Sequence, residues 1–268
     1  EVMDYPAVVD GNKEVLRKIE LAGSKVIDGH SPLLTGKDLN AYRVAGIDTD
    51  HECSTASEAM ERIRMGMYVQ MREASGARNV EDILKGLLEN NIPLDQCIFC
   101  TDDRHLDHIV TEGHIDYIVR KAINIGLSPV EAIRLATIQA AQCYGLTTKV
   151  AIAPGYDADL LIIDDLTEFV VESVMVKGEW VVEDFKVKDE LFVQKEYNEN
   201  IKNTVNMPTL HKDDLRIPLN KESVNVIGVV SGQIETNHLK RNVKVMNGAY
   251  SHTDAICKIA VIERYKET

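Results

Sequence analysis

The sequence predicts an α/β chain built on a parallel sheet, and three observations carry that reading. From position 1 to about 148, short apolar runs alternate with amphipathic helical stretches at intervals of roughly 20 to 30 residues, the rhythm of strands joined by right-handed helical crossovers. The helical stretches begin at readable caps. The composition, 44% hydrophobic and 27% charged over 268 residues, is that of a globular chain long enough to bury a sizeable core.

Taken in order, the expected strands are Glu1–Tyr5, Lys25–Asp28, Ala45–Asp48, Met67–Arg72 and Gln96–Thr101. Thr35 and Asn79 are expected N-caps. Thr55-Ala56-Ser57-Glu58 reads as a capping box, in which the Thr hydroxyl accepts from the N3 amide and Glu58 reaches back. Ile115, Ile118, Val119, Ala122 and Ile123 form one apolar stripe at helical spacing. Ser128-Pro129-Val130-Glu131 reads as another capping box, with Pro at N1 where its missing N–H costs nothing, and the helix it opens is expected to run to about Tyr144 before Gly145.

Five strands are too few for a complete eightfold barrel, and an open doubly wound sheet fits the same rhythm. No Gly-x-Gly-x-x-Gly follows the early strands, so dinucleotide binding has little support. After about residue 150 the pattern changes. Ala158–Ile163, Phe169–Val176 and Glu179–Val182, with a turn at Lys177-Gly178, read as a small antiparallel unit. Residues 184 to about 221 are polar and irregular, a linker, and Val224–Val230 and Ile256–Glu263 open another β-rich region. Residues 1–150, 151–190 and 191–268 are the expected divisions, and both ends read as cut.

Charge and cysteine usage narrow the classes. A net charge of −13 without a basic stripe argues against a nucleic-acid partner. No apolar run approaches the roughly 18 residues that span a bilayer, and no signal-peptide core opens the chain, so no membrane and a cytoplasmic location are expected. The five cysteines are odd in number, which favours reduced thiols. Cys97-Ile98-Phe99-Cys100 lies in an apolar run without a second pair at zinc-ribbon spacing, so it reads as a buried strand.

Three expected strand ends finish in potential metal ligands: Asp28-Gly29-His30, Asp50-His51-Glu52 and Thr101-Asp102-Asp103-Arg104. In a parallel barrel such ends open on one face, where two imidazoles and a carboxylate suit a divalent transition metal. A metal there lowers the pKa of bound water from about 15.7 towards about 7, and a neighbouring carboxylate can carry the proton to a leaving group. Each residue also has a plainer reading: a hydrogen-bonded loop histidine, an aspartate pair capping the next helix, a solvated Glu52. Spacing alone leaves both readings open.

The order His, a second His about twenty residues on, a strand-terminal Asp and then a Ser-Pro-x-Glu-Ala helix resembles the amidohydrolase superfamily. So does Ile152-Ala153-Pro154-Gly155-Tyr156-Asp157-Ala158-Asp159-Leu160, similar to the stretch where those chains return to their small β domain. Within the superfamily the chain resembles the adenine deaminases, through Glu1-Val2-Met3-Asp4-Tyr5-Pro6, Ile27-Asp28-Gly29-His30, Leu39-Asn40-Ala41-Tyr42, Asp50-His51-Glu52, Met71-Arg72-Glu73, Cys100-Thr101-Asp102-Asp103-Arg104 and Glu112-Gly113-His114-Ile115-Asp116.

The resemblance implies a partial (β/α)8 TIM-type barrel carrying the C-terminal strands, then a small β-sandwich portion and the start of an α+β C-terminal domain. It implies a binuclear divalent site of iron or manganese, with zinc common among relatives, held by Glu1 from the fourth barrel strand, His30 and His51 from the fifth and sixth, and Asp102 from the eighth. Asp102 would also shuttle the proton, with Asp103 beside it in catalysis. Glu73 and Asp103 would contact the purine. The implied reaction converts adenine and water to hypoxanthine and ammonia in purine salvage, acting on a small-molecule base in a homo-oligomer. The departure is that no His-x-His occurs anywhere, and His105 and His108 are three apart. The family's first-strand pair is therefore missing, which leaves two further readings: another amidohydrolase, acting on a cyclic amide or an N-acetyl sugar, and a non-catalytic fragment or scaffold.

Overall fold

The structure, a computed structural model, describes residues 1–189, 196–252 and 255–264. It divides into two compact units, Glu1–Leu191 with Ser231–Ile234, and Phe192–Val230 with Glu235–Thr268. Residues 190–195 of the expected linker lie outside the described residues.

The first unit holds a parallel sheet of β1 (Thr49–Asp50), β2 (Tyr68–Arg72) and β3 (Cys97–Cys100), with Thr49 opposite Tyr68 and Val69 opposite Cys97. Two shorter segments extend it. Asp48 N–H donates to the Ile27 carbonyl at 2.9 Å, and Val2 forms a parallel bridge to Gly29. Segments from the five expected regions therefore lie side by side, but the first two are only bridges, and the third strand falls at Thr49–Asp50 rather than at the expected Ala45–Asp48, because Ala45 still closes the preceding helix through its N–H to the Ala41 carbonyl at 3.1 Å. The first also ends early: Asp4 accepts from the Ala7 amide and caps α1 (Tyr5–Val9), so Tyr5 is helical.

Helices follow each segment: α2 (Lys13–Ala22), α3 (Gly36–Val44), α4 (Ala56–Arg64), α5 (Val80–Glu89), α6 (Leu106–Thr111), α7 (Ile115–Ile125), α8 (Pro129–Ala136) and α9 (Ile138–Cys143). Both halves of the Thr55–Glu58 capping box are present, and Ser128 Oγ accepts from Glu131 N at 3.3 Å. Thr35 and Asn79 stand at N-cap positions but make no side-chain cap bond. The expected Pro129–Tyr144 helix is broken at Thr137 (φ −128°, ψ −88°), whose hydroxyl instead donates to the Ile133 carbonyl at 2.6 Å.

The strands are two-faced, and this phase sets up the site. Val69 and Met71 of β2 pack with Phe99 of β3 against Ile83, Leu84 and Leu87 of α5 and Ile118 and Val119 of α7. Complete burial of the three α5 residues alone contributes roughly 5 to 9 kcal/mol before chain entropy is counted. Because strand side chains alternate, Gln70 and Arg72 point to the opposite face. There Gln70 Nε2 donates to Asp28 at 2.6 Å and to Thr49 Oγ1 at 3.0 Å. A second core of Val8, Ile19, Leu39, Tyr42, Ile47 and Met67 lies beneath α1 to α3.

Residues 160–187 form an antiparallel sheet, β4 (Leu160–Ile163), β5 (Val171–Val176), β6 (Glu179–Glu183) and β7 (Lys186–Val187), in that order. The turn between β5 and β6 is at Lys177-Gly178, both with positive φ (51° and 84°). Phe169, expected in a strand, has φ 48° and its side chain is buried in the main core instead. The second unit contains the hairpin of β8 (Ser223–Val229) with β9 (Thr236–Asn242) and the short pair β10 (Val245–Met246) with β11 (Ala249–Tyr250). The expected strand Ile256–Glu263 is not observed. A strand needs a ladder partner, and these residues make no ladder among the described residues, leaving Ile259 80% and Val261 96% exposed.

Candidate metal centre

The strand-end segments are drawn together by buried polar groups. Gly29 lies so close to its neighbour that a Cβ there would sit 2.2 Å from the Thr49 carbonyl and 2.8 Å from Ile47 Cγ2, so a side chain is excluded. His30 N–H donates to the Tyr42 hydroxyl at 3.0 Å, and that hydroxyl donates to the Val2 carbonyl at 2.6 Å. Tyr42 is fully buried, and burial raises its pKa well above the usual phenol range, so it stays a neutral donor tying the Glu1 and His30 segments together.

A second clamp joins the loops after His30 and His51. Asp50, fully buried, accepts from Ser31 N (3.3 Å), Ser31 Oγ (2.5 Å), Glu52 N (3.0 Å) and Arg62 Nε (3.0 Å). Arg62, also fully buried, donates from Nη2 to the Ser31 carbonyl at 2.7 Å. Burial opposes its charge, but Cys53 and Asp50 outweigh that and hold its pKa above the ordinary value.

These clamps bring the imidazoles together. His30 Nδ1 lies 3.3 Å from His51 Nε2, with the rings edge-on at 73°. Glu1 Oε1 is 3.0 Å from His30 Nδ1 and 3.5 Å from His51 Nε2. Glu52 Oε1 is 3.5 Å and 3.4 Å from the same two nitrogens. Asp102 joins from the end of β3: His51, Glu52 and Asp102 each offer one ligand atom, all within 4.8 Å of one another. Asp102 adopts φ 51°, a left-handed turn that Asp tolerates better than most residues, and the chain folds back at once through Arg104 N–H to the Asp102 carbonyl (2.8 Å). Arg72 Nη1 donates to Asp102 Oδ2 at 3.1 Å and to Glu52. Burial works against the Arg72 charge, and Glu52 and Asp102 together raise its pKa despite it.

The structure thus brings together Glu1, His30, His51 and Asp102. Asp103 is exposed on the adjoining loop, where its carbonyl accepts from Ser75 N at 3.0 Å. Glu73 is not brought to the cluster. Alternation after Arg72 turns it to the helix layer, where it is fully buried and paired with Lys121 of α7 at 2.9 Å. The plainer reading of Glu52 as solvated is corrected: it is 2% exposed, because the loop after β1 folds it in against Arg72. Arg72 and Arg62, which pair with Glu52, Asp102 and Asp50 around the cluster, are residues that spacing did not single out. Their one legible signal is polar alternation, Gln70 then Arg72, inside an otherwise buried strand. Cys97 is buried and Cys100 half-buried, and desolvation pushes the Cys97 thiol up to about 12 and Cys100 higher still.

The donor set fits a divalent metal. With metal–ligand bonds of about 2.0 to 2.1 Å, neighbouring ligand atoms stand about 3.0 to 3.4 Å apart, close to the 3.0–3.5 Å separations among Glu1, His30, His51 and Glu52. Three carboxylates face one guanidinium, and Glu52 Oε2 is buried with no hydrogen-bond partner among the described residues, so the pocket favours a cation. His30 and His51 are neutral in a ligand role and leave the carboxylate charge for it.

Comparison with known proteins identifies the family to which the chain belongs. Residues 1–181 match the description "Amidohydrolase family". The chain is 41% identical over 268 residues to the adenine deaminase of Desulfitobacterium hafniense (strain Y51), covering all of this chain and 46% of that protein. It is 42% identical over 272 residues to the adenine deaminase of Clostridium acetobutylicum, covering 47% of it. The chain therefore spans about half the length of the curated relatives it matches. Among solved structures, a beta-aspartyl dipeptidase from Fervidobacterium islandicum AW-1 superposes with TM-score 0.51 at 19% identity, over 68% of this chain and 55% of that one. This likeness is one of fold.

Proposed function

The chain belongs to the amidohydrolase family, with its TIM-barrel-type fold and generally metal-dependent chemistry, and on that premise we propose that the protein carrying it hydrolyses adenine to hypoxanthine and ammonia. The observation that carries the proposal is the convergence of His30, His51, Glu1 and Asp102 from separate strand ends onto one small volume, alongside about 40% identity to adenine deaminases along the whole chain.

In this reading residues 1–150 supply the C-terminal strands of the barrel, 151–190 part of the small β domain, and 191–268 a linker and the start of a further domain. Glu1, His30, His51 and Asp102 hold a binuclear iron or manganese site. The ligand groups Glu1–His30–His51 and His51–Glu52–Asp102 overlap at His51, whose one free imidazole nitrogen would bind a single ion, and the carboxylates of Glu1, Glu52 and Asp102 would complete the donor set. The bound metal supplies Lewis acidity that brings a water's pKa towards neutrality. Asp102 takes the proton from the attacking water and hands it to the departing exocyclic nitrogen, while Arg72 holds its carboxylate in line and Asp103 contacts the ring. Neither a nucleic-acid nor a membrane partner enters the scheme; no helix among the described residues is long and apolar enough to cross a membrane. We place the enzyme in the cytoplasm as a homo-oligomer.

The test is ammonia release from adenine by the complete protein. His51→Ala and Asp102→Asn are expected to abolish turnover with the fold retained, and normal release from either refutes its assigned role. A panel with adenosine, a dihydropyrimidine and an N-acetyl sugar separates this substrate from those of other amidohydrolases. The absence of any His-x-His in the sequence favours one second reading, in which this segment alone is not catalytic.

A further inference from the structure

The N-cap of α6 and the helix residues just after it hold a second group of metal-competent side chains that shares no ligand with the cluster above. His105, Asp107 and His108 each offer one ligand atom, and the three lie within 4.8 Å of one another. His105 and Asp107 face solvent and His108 is half-buried. The two imidazole rings are parallel within 6°, with centroids 6.0 Å apart. Ser75 organises the set: its hydroxyl oxygen accepts from His105 N–H at 2.8 Å and lies 2.6 Å from His108 Nδ1. A hydroxyl has two acceptor lone pairs. With one taken by the His105 amide, the other is open to the Nδ1 proton of His108, and in that tautomer Nε2 carries the lone pair that an ion needs. A second hydrogen-bonded group fixing the far nitrogen is how ligating histidines are normally oriented.

We propose that His105, Asp107 and His108 form a second, solvent-open site for a late first-row divalent ion, which braces the loop following Asp102. Two imidazoles and one carboxylate favour nickel, copper or zinc over magnesium or calcium. Three protein ligands at the solvent-facing start of α6 leave the remaining positions to water, so the ion exchanges freely. Ser75 also donates from its amide to the Asp103 carbonyl at 3.0 Å, so an ion on His108 stiffens the turn that presents Asp102 and Asp103.

The experiment titrates the chelator-stripped full chain with Ni²⁺ alone, by calorimetry, in two double variants. The His30→Ala/His51→Ala chain is expected to keep one class of Ni²⁺ site. The His105→Ala/His108→Ala chain is expected to lose that class, and Ser75→Ala to weaken it by about tenfold or more. Ni²⁺ added to the unsubstituted chain is expected to broaden the side-chain NMR signals of both His105 and His108. The proposal is overturned if the His105→Ala/His108→Ala isotherm matches that of the unsubstituted chain, if the His30→Ala/His51→Ala chain binds no Ni²⁺, or if those two histidine signals stay sharp. The deaminase assignment is unaffected by either outcome.

Discussion

Replacing Arg62 with Met removes one half of the buried clamp under the metal centre while keeping most of the side chain's volume. Asp50 then loses the 3.0 Å bond to Arg62 Nε but retains three donors, Ser31 N–H, Ser31 O–H and Glu52 N–H. The Ser31 carbonyl loses its 2.7 Å donor. Breaking a buried ion pair by removing one partner costs about 3 to 5 kcal/mol, and the surviving donors put this case near the lower end. For a unit of about 200 residues each kcal/mol moves Tm by roughly 2 to 4 °C, so thermal unfolding is expected about 6 to 12 °C lower. Because Ser31 follows His30 and Asp50 precedes His51, divalent-metal affinity is expected to fall with it. The assay is differential scanning calorimetry beside a metal titration of the same sample. A Tm within 2 °C of the unsubstituted chain refutes the claim that this pair clamps the two ligand loops.

Other outcomes follow from the same geometry. Gly29→Ala forces a Cβ onto the Thr49 carbonyl, where overpacking costs typically 1 to 3 kcal/mol or more; unchanged stability and metal affinity in a melting and titration series contradict the close approach. The exposed Cys257 is expected to be alkylated first by iodoacetamide at pH 8, because burial holds Cys97 near 12 and leaves roughly one in ten thousand as thiolate; mass mapping that finds Cys97 labelled equally fast sinks this. Glu112 is bonded by Arg78 and Arg104, which hold its pKa below the ordinary value. A depressed carboxylate adds stability above its unfolded pKa and loses it as pH falls through the folded one. Glu112→Gln is therefore expected to flatten the acid limb of the stability curve below about pH 4.5, and an unaltered limb is the contrary result.

Much of the first unit was legible because its signals are local. The capping box at Thr55, the Ser128-Pro129 start and the apolar stripe of α7 each follow from contacts within a few residues. Readings failed where a distant partner decides. Ile256–Glu263 has strand composition but no ladder to join among the described residues. Thr137 interrupts a helical pattern through its own hydroxyl. The clustering of His30, His51 and Asp102 was readable from strand ends, since parallel segments present their ends on one rim. The surroundings of Glu52 and Glu73 were not legible, because only tertiary packing fixes which face each carboxylate takes. Following the Gln70, Arg72 alternation one residue further would have turned Glu73 to the helix side.

The claim beneath the rest is that Glu1, His30, His51 and Asp102 share one divalent-metal cluster. The most direct measurement is Mn²⁺ binding followed by electron paramagnetic resonance, on chains that already carry His105→Ala and His108→Ala, with and without His51→Ala. Since His51 belongs to both ligand groups, the account predicts that its removal weakens Mn²⁺ binding by at least about tenfold. Equal Mn²⁺ binding by the two chains contradicts it.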